Sequence, residues 1–475
     1  MNSNFARQRG FSTVLALFLL AAACLSIYSL YDVGQVTSHK MKAQNAADAA
    51  AYSVSSITAR DMNFMATTNR IMVANQVAIG QMVGLSSYGH MVEQTAFNFD
   101  VVSNFLSWIP VAGQIIKAAS RLLAQAAKVM KQIFDGAAKT VIPISDNIIK
   151  ITSGLQEVFH IGMTGAAYEV YTKVIEGNDQ DIKGSVVLGG YSVIKYIDEY
   201  RDTVEKNQVP KPWGFDQKNR RYLQRFGEFH STVNQSTDRF IQNRSNDWLA
   251  DLIHGRGASE FKPAIVNNKY IWDWTAMDTQ RFLIEVDLWL TTITIVDAPL
   301  GWGAGHALNS DRGTSSYNYY RDRSRHRYGG VWRNGRAAWI AAADDRSNNL
   351  SRTSNLKPFY DLKDNGLTDT GPGMVALLGK PIAAARVWKE AVKDKQNYGL
   401  QKRFDVAEHG GAAKDQLISL GKAETYFSRA PDLWPRRDRN IEFGNMYNPF
   451  WQARLTKASK IDHAAAILAA SGIKL

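Results

Sequence analysis

The chain has 475 residues, of which 45% are hydrophobic, so there is ample material for a buried core and length for two or three domains. Cys24 is the only cysteine, which excludes an intramolecular disulfide and any multi-cysteine metal site. The net charge is +12, and residues 301–475 carry 28 Lys and Arg against 17 Asp and Glu. The basic C-terminal third therefore favours acidic partners.

The segment Phe11–Tyr31 contains no charged residue. At about 1.5 Å per residue, a helix of this length spans a hydrocarbon core of roughly 30 Å. Arg7 and Arg9 precede it, and positive charge beside a membrane segment tends to stay in the cytoplasm. We therefore predict a cytoplasmic leader at residues 1–10, a transmembrane helix at 11–31 and export of the remainder. The predicted anchor residues are Phe11, Leu17, Leu20 and Tyr31.

Three other readings of this N-terminus stay open. A secretory signal cleaved after Ala21-Ala22-Ala23 is one, although the apolar run continues beyond those residues. Lipid attachment at Cys24 is the second. The third is a leader cut between Gly10 and Phe11, as in type IV pilins, which usually carry a glutamate where this chain has Leu15. The missing carboxylate argues against a major pilin and leaves an accessory pilin-like protein open.

A long helix is predicted directly after the membrane segment. No proline or glycine occurs from Val36 to Ile79, and the block Lys42-Ala-Gln-Asn-Ala-Ala-Asp-Ala-Ala-Ala51 is rich in the best helix-forming residue. We expect an alanine-rich stalk helix over residues 32–85, either as a plain linker or as a packing face for neighbouring helices, because small side chains allow close approach. The residues predicted for such packing are Asn45, Ala46, Asp48 and Ala49.

The same segment carries a family resemblance. Tyr31-Asp-Val-Gly34, followed by the alanine block, resembles the N-terminal region of TadG-like proteins of the Tad (Flp) pilus-assembly system over residues 7–60. The segments at 272–278, 299–304 and 448–454 look like parts of larger TadG-related envelope proteins. The resemblance implies a structural component of a Tad/Flp-type pilus assembly or secretion apparatus. It also implies location in the bacterial inner membrane, with most of the chain periplasmic and other pilus-assembly or pilin-like subunits as partners.

The exported region is predicted to be α+β, with a helical region at 86–210 and a basic α+β domain at 211–475. Val101–Ile116 is too short and too broken for a second span, so a helical hairpin is expected there. Gly301 and Gly303 are expected in a turn. Helices are predicted at 120–134, 144–172, 190–207, 381–393 and 461–471, and strands at 185–188, 270–274 and 290–296.

A cluster of arginines and aromatic residues at 311–336 is the densest candidate for binding. Guanidinium groups bind phosphate or carboxylate in bidentate fashion. Outside the cytoplasm the acidic partner would be a surface polysaccharide or the cell wall, lipid headgroups, extracellular DNA or an acidic protein subunit, and no specific nucleic acid is expected. The alternative is a solvated loop. The residues predicted for this anionic-partner patch are Arg321, Arg323, Arg325 and Arg327.

Motifs for catalysis are missing from the sequence. The nine histidines show no ligand spacing, and neither a G-x-S-x-G nor a phosphate-binding loop occurs. A D-x-S-x-S metal site, which some TadG relatives carry, is also missing. Five tryptophans between Trp272 and Trp332 are expected in a core. We therefore expect no enzyme, no cofactor and no metal, and keep a membrane-tethered envelope enzyme or polysaccharide-binding module as the alternative.

Overall fold

A computed structural model of the chain shows a mixed helix and strand protein, as the sequence predicts, with a very long first helix. The helices are α1 (Arg9–Leu106), α2 (Ala112–Asn178), α3 (Val186–Thr203), α4 (Gln217–Gln235), α5 (Arg239–Gln242), α6 (Gly335–Asp344) and α7 (Lys460–Ser471). The structure describes residues 9–106, 112–182, 186–248, 252–266, 268–288, 291–310, 328–344, 349–354, 356–363, 369–385, 416–430, 433–436, 438 and 440–471.

Ten strands are assigned in these ranges. They are β1 (Val204–Asn207), β2 (Asn246–Trp248), β3 (Ile253–Val266), β4 (Lys269–Leu288), β5 (Thr291–Asn309), β6 (Asn349–Thr353), β7 (Phe359–Leu362), β8 (Thr370–Pro381), β9 (Gln416–Phe427) and β10 (Trp451–Leu455). They form sheets with the strand orders β1-β7, β10-β9-β8 and β2-β3-β4-β5-β6. Two 3₁₀ segments, Tyr328–Asn334 and Ile382–Ala385, complete the assignment.

The chain folds into two compact units, and α1 and α2 contribute to both. The first unit consists of Met1–Phe64, Val158–Glu205 and Leu362–Leu475, and the second of Met65–Glu157 and Lys206–Asp361.

In the first unit, the alanine block of α1 lies against the antiparallel sheet β10-β9-β8. Gln44 Nε2 donates to Leu420 O at 2.7 Å, and Lys40 donates to Ile418 O. A Cβ at Gly421 would lie 2.5 Å from the carbonyl carbon of Ala47. The helix backbone therefore approaches the strand so closely that only glycine fits. The alanines buried on this face are Ala43, Ala46, Ala47, Ala50 and Ala51.

In the second unit, α1 lies against the five-stranded sheet, whose strands pair antiparallel except β5 with β6. Gly301, Gly303 and Gly305 on β5 meet α1 at successive turns, and a Cβ at Gly303 would lie 2.5 Å from Met91 N. The expected turn at Gly301 and Gly303 is therefore wrong. These glycines lie inside a strand because a helix backbone needs the space of the missing side chains.

Some of the other predicted helices and strands are present in the structure and some are not. The strands at 270–274 and 291–296 and the helix at 461–471 are confirmed. The predicted strand at 185–188 is wrong, because residues 186–188 begin α3 and two β-branched valines are too few to outweigh the helix that continues from them. In the predicted helix at 381–393, Pro381 ends β8 and only the short 3₁₀ turn follows, while the later part lies outside the described residues.

Tryptophan burial follows the expectation only in part. Trp274 and Trp272 are buried, with 2% and 8% of their surface exposed, and Trp302 packs against the core formed by Met277 and its neighbours. Trp332 is 54% exposed, so the expectation is wrong for that residue.

The approach of α1 to β9 yields a stability prediction. Gly421→Ala should lower the free energy of unfolding by about 1–3 kcal/mol, because its Cβ meets backbone atoms of α1 that cannot rotate away. Gly165→Ala is the matched control in the same unit. That glycine is exposed within α2 and has open space around it, so the change should be neutral or stabilise by up to about 1 kcal/mol. Denaturant unfolding of the full chain checks both, and equal stability of the Gly421→Ala variant and wild type would contradict the packing argument.

Candidate functional site

The N-terminal part of α1 exposes apolar side chains to an unusual degree. Leu17, Leu20 and Tyr31 are 66%, 62% and 54% exposed, whereas the side chain of Phe11 is outside the described part. By length and composition this helix can cross a membrane, and none of its most apolar window is buried. Ser26 satisfies its hydroxyl inside the helix, donating to Ala22 O at 2.8 Å, which suits an apolar environment.

Burial along α1 begins at Val36, which is 7% exposed. Within the alanine block, Ala46 is fully buried and Ala49 is half-buried, while Asn45 is exposed. The half-buried carboxylate of Asp48 accepts from Gln44 Nε2 at 3.0 Å. The buried alanines of this block therefore pack within the chain. The use of Asn45, Ala46, Asp48 and Ala49 in contacts with neighbouring subunits stays a prediction.

The predicted anionic-partner patch cannot be placed, because Arg321, Arg323, Arg325 and Arg327 lie outside the described residues. The C-terminal end of the same cluster is described. The Arg333 guanidinium lies 5.4 Å from the centroid of the exposed Trp332 ring, and Arg336 is exposed. A stacked guanidinium and an exposed ring are suited to contact with an acidic or ring-bearing partner.

A buried polar cluster in the first unit joins α1, α2 and α3. Asp61 is 2% exposed, and its Oδ2 lies 2.8 Å from His160 Nδ1 and accepts from Tyr200 Oη at 2.7 Å. Thr58 Oγ1 and Tyr196 Oη share a hydrogen bond of 2.9 Å. Burial, more than the nearby Asp61 charge, raises the pKa of Tyr196 to about 12. These hydrogen bonds hold α1, α2 and α3 together. The residues of the cluster lie far apart in the sequence and form no motif, so sequence analysis did not predict it.

A second cluster in the first unit centres on Asp462, which forms a capping box with Ser459 at the start of α7. The Asp462 carboxylate also accepts from Lys195 of α3 at 2.9 Å and from Lys422 of β9 at 2.7 Å. Burial alone would raise the pKa of Asp462, but the hydrogen bonds from Lys422, Lys195 and Ser459 outweigh it and hold the pKa well below its usual range.

The core of the second unit contains a buried ion pair. Arg244 Nε and Nη2 donate to the two carboxylate oxygens of Asp278 at 2.7 and 2.9 Å, and the two side chains are 3% and 2% exposed. Ser87 of α1 donates to the same carboxylate at 2.6 Å, so the pair ties α1 to β4.

A polar cleft of about 790 Å³ opens between α4 and β3 in the second unit. His230 Nε2 donates to Phe261 O at 2.7 Å, and burial lowers the pKa of this histidine more than the hydrogen bond raises it. Glu260 is the carboxylate among the lining residues, beside Lys262. Other lining residues are Ser231, Asn234, Gln235, Thr237 and Gln242.

Comparison with known proteins locates the recognisable part of the chain. Residues 10–60 match the model of the Flp pilus-assembly TadE/G-like family, which confirms the resemblance drawn from the aspartate, glycine and alanine pattern and supports a pilus-related role. No curated protein and no solved structure matches the chain. The resemblance of the three later segments to larger TadG-related proteins stays a prediction.

The ion pair in the second unit yields a stability prediction. Asp278→Asn should lower the free energy of unfolding by about 3–5 kcal/mol, because it leaves the buried Arg244 charge without its counter-charge. The double variant Arg244→Leu/Asp278→Leu should recover part of this loss. Asp438→Asn breaks an exposed pair with Arg436 and should leave the thermal midpoint unchanged. Equal midpoints for all the variants would contradict a structural role of the buried pair.

The Asp462 cluster predicts a pH dependence. A carboxyl group whose pKa is lowered by folding stabilises the folded state above its unfolded pKa of about 4, and this stabilisation is lost as the pH falls through the lower folded pKa. Asp462→Asn should therefore lower the free energy of unfolding by about 1–3 kcal/mol at pH 7. In strongly acidic solution the difference in unfolding free energy between this variant and wild type should become smaller. Unfolding followed from pH 7 to pH 2 checks this, and a gap that does not change with pH would count against the ionised carboxylate.

Proposed function

We propose that the chain is a structural, non-enzymatic component of a Tad/Flp-type pilus-assembly or secretion apparatus. The observation that carries the proposal is the coincidence of the family match at residues 10–60 with a helix that exposes its apolar side chains up to Tyr31. In this proposal Phe11–Tyr31 anchors the chain in the bacterial inner membrane, and residues 32–85 continue from that anchor into the exported region, where they contact its strands.

Charge supports one orientation of the anchor. Arg7 and Arg9 lie directly before the apolar segment, so the positive-inside tendency favours a cytoplasmic N-terminus and a periplasmic C-terminal region. The excess of Lys and Arg over Asp and Glu in residues 301–475 then belongs to the periplasmic side, where acidic polysaccharide or the cell wall would be available to bind.

Partners in the membrane would meet the small residues of the anchor. Ala22 and Ser26 are small residues one helical turn apart in the apolar segment, and small residues with this spacing allow close helix packing in lipid. Pilin-like and pilus-assembly subunits with single apolar helices are the partners this proposal favours.

The cleft between α4 and β3 favours a second candidate, a polysaccharide-binding role within the same apparatus. Its amide and hydroxyl side chains are suited to hydrogen bonding with sugar hydroxyl groups, and its carboxylate and lysine leave it without a strong net charge.

The single cysteine allows a direct test of the topology. In a Cys24→Ser background, one cysteine is introduced at Ser3 or at Ser236, which is exposed at the end of α4. A membrane-impermeant maleimide applied to spheroplasts should label Ser236→Cys, whereas Ser3→Cys should react only after lysis. Labelling of Ser3→Cys alone would reverse the orientation. Equal labelling of both without lysis would argue against a membrane-spanning anchor.

The mass of the N-terminal peptide from native membranes tests the mature form. A peptide that retains residues 1–10 is expected for a permanent scaffold. A peptide that begins at Phe11 would instead indicate a pilin-type substrate that enters the filament, and lipid on Cys24 would overturn the transmembrane anchor.

A further inference from the structure

The outer face of α2 in the second unit carries a long strip of exposed aliphatic side chains. Each of six residues in the strip is more than half exposed, although soluble surfaces rarely expose apolar patches of this extent. At 100° per residue they fall within an arc of about 80° along about 50 Å of helix. The six are Leu122, Val129, Ile133, Ile144, Ile151 and Leu155.

The opposite face of the same helix is already occupied within the unit. Ala138, Ile142 and Ile149 are buried, and Gln156 Nε2 donates to Asn69 Oδ1 of α1 at 2.7 Å. Burial on one side and aliphatic exposure on the other make this stretch of α2 apolar on both sides. Helices that are hydrophobic all round are normally covered by protein or lipid, so the outer strip calls for a covering partner.

Basic residues border one side of the strip. Arg121, Lys128, Lys139 and Lys150 are all exposed, and the helical spacing puts them on the same flank. Lys150 also pairs with Asp146 at 2.9 Å. Long basic side chains lay their methylene groups along apolar surface and present their charge at its edge. Glu157, which pairs with Lys206 at 2.7 Å, ends this flank, so the cationic margin of the strip runs from Arg121 to Lys139.

We propose that the outer face of α2 binds an amphipathic helix of a partner protein that has an aliphatic stripe and an acidic margin. Helix-on-helix packing fits apolar residues with this helical spacing on the two sides of Pro143, with the exposed Thr140 and Asn147 between them. The inference rests on the proposed assembly role and adds to it the chemistry of one partner.

The charges beside the strip favour a helix with an acidic margin over a second copy of this chain or a bilayer surface. If two copies paired antiparallel about the middle of this face, Lys128 would lie near Lys150 of the other copy and Lys139 near its own counterpart, and if they paired parallel the basic flank would face the flank of Leu123 and Ile148. A bilayer surface would be matched by basic residues on both flanks. The other flank of the strip instead holds Leu123 and Ile148, which are 54% and 37% exposed. An acidic amphipathic helix is therefore the best complement.

The test uses the purified full chain in nanodiscs and two synthetic helices of about 35 residues, long enough to cover the strip. Both helices have the same leucine stripe, and one has glutamates along one margin where the other has lysines. A fluorophore on the cysteine of a Cys24→Ser/Gln125→Cys chain, at an exposed residue beside the strip, reports binding. The acidic helix should bind at least about tenfold more tightly than the basic one at low salt, and the difference should shrink at high salt.

Variants identify the face. Ile144→Asp/Ile151→Asp should abolish binding of the acidic helix without lowering the thermal midpoint, because both side chains are exposed. Lys128→Glu/Lys139→Glu should invert the preference between the two helices. Ile461→Asp, a change at a residue of α7 that is 77% exposed, is the matched control and should bind as wild type does.

Five outcomes would overturn the proposal. The first is no binding of the acidic helix, and the second is equal binding of both helices. The third is failure of the introduced cysteine to react because another part of the chain covers it. The fourth is self-association that Ile144→Asp/Ile151→Asp removes, which would indicate a second copy. The fifth is preferential binding to vesicles of phosphatidylcholine and phosphatidylglycerol. None of these results depends on the topology experiment, so the failure of one proposal is distinguishable from failure of the other.

Discussion

The close contact between the backbone of α1 and a β-strand is the constraint on which each unit depends. Four residues of a helix advance about 6 Å and two residues of a strand about 6.7 Å, so every second strand residue can meet one turn of helix. Gly305 and Gly303 meet α1 at Val83 and Ser87 in this way, and Gly421 meets it at Ala47. Because these contacts reach backbone atoms, small residues are required at the contact points. The alanines of α1 and the glycines of β5 and β9 both serve this close packing of helix against strand.

Buried charges add specificity to this packing in a protein whose only cysteine lies in the apolar segment. Asp278 and Asp462 each join elements that are far apart in sequence, and each accepts several hydrogen bonds. Pairs of this kind contribute little net stability compared with apolar substitutes, yet the loss of one partner is costly. An arrangement that separates either pair would leave a buried charge without its partner, and this disfavours shifted packings of the elements that the pair joins. Such shifts matter here because the contact surfaces of α1 and the strands consist of small alanine and glycine residues.

The sequence predicts the long elements well and the contacts between them poorly. The uncharged run after Gly10, the proline-free and glycine-free stretch from Val36 and the β-branched run that ends at Val296 each have a local physical signature, and the elements predicted there are found. The predicted strand at 185–188 failed because four residues cannot outweigh their helical continuation. Asp61, His160 and Tyr200 form a cluster across 139 residues, and no local pattern signals such a meeting.

The change of environment along α1 connects the fold to the proposed role. Up to Tyr31 its side chains are apolar and exposed, and from Val36 onward its small side chains are buried against the chain itself. α1 continues without a break between Tyr31 and Val36, so its side chains change from exposed to buried within about one turn. The family match at residues 10–60 covers this passage, in which an apolar helix continues into a folded region. In the proposed role, this continuous helix joins the apolar segment to the folded region without a flexible linker.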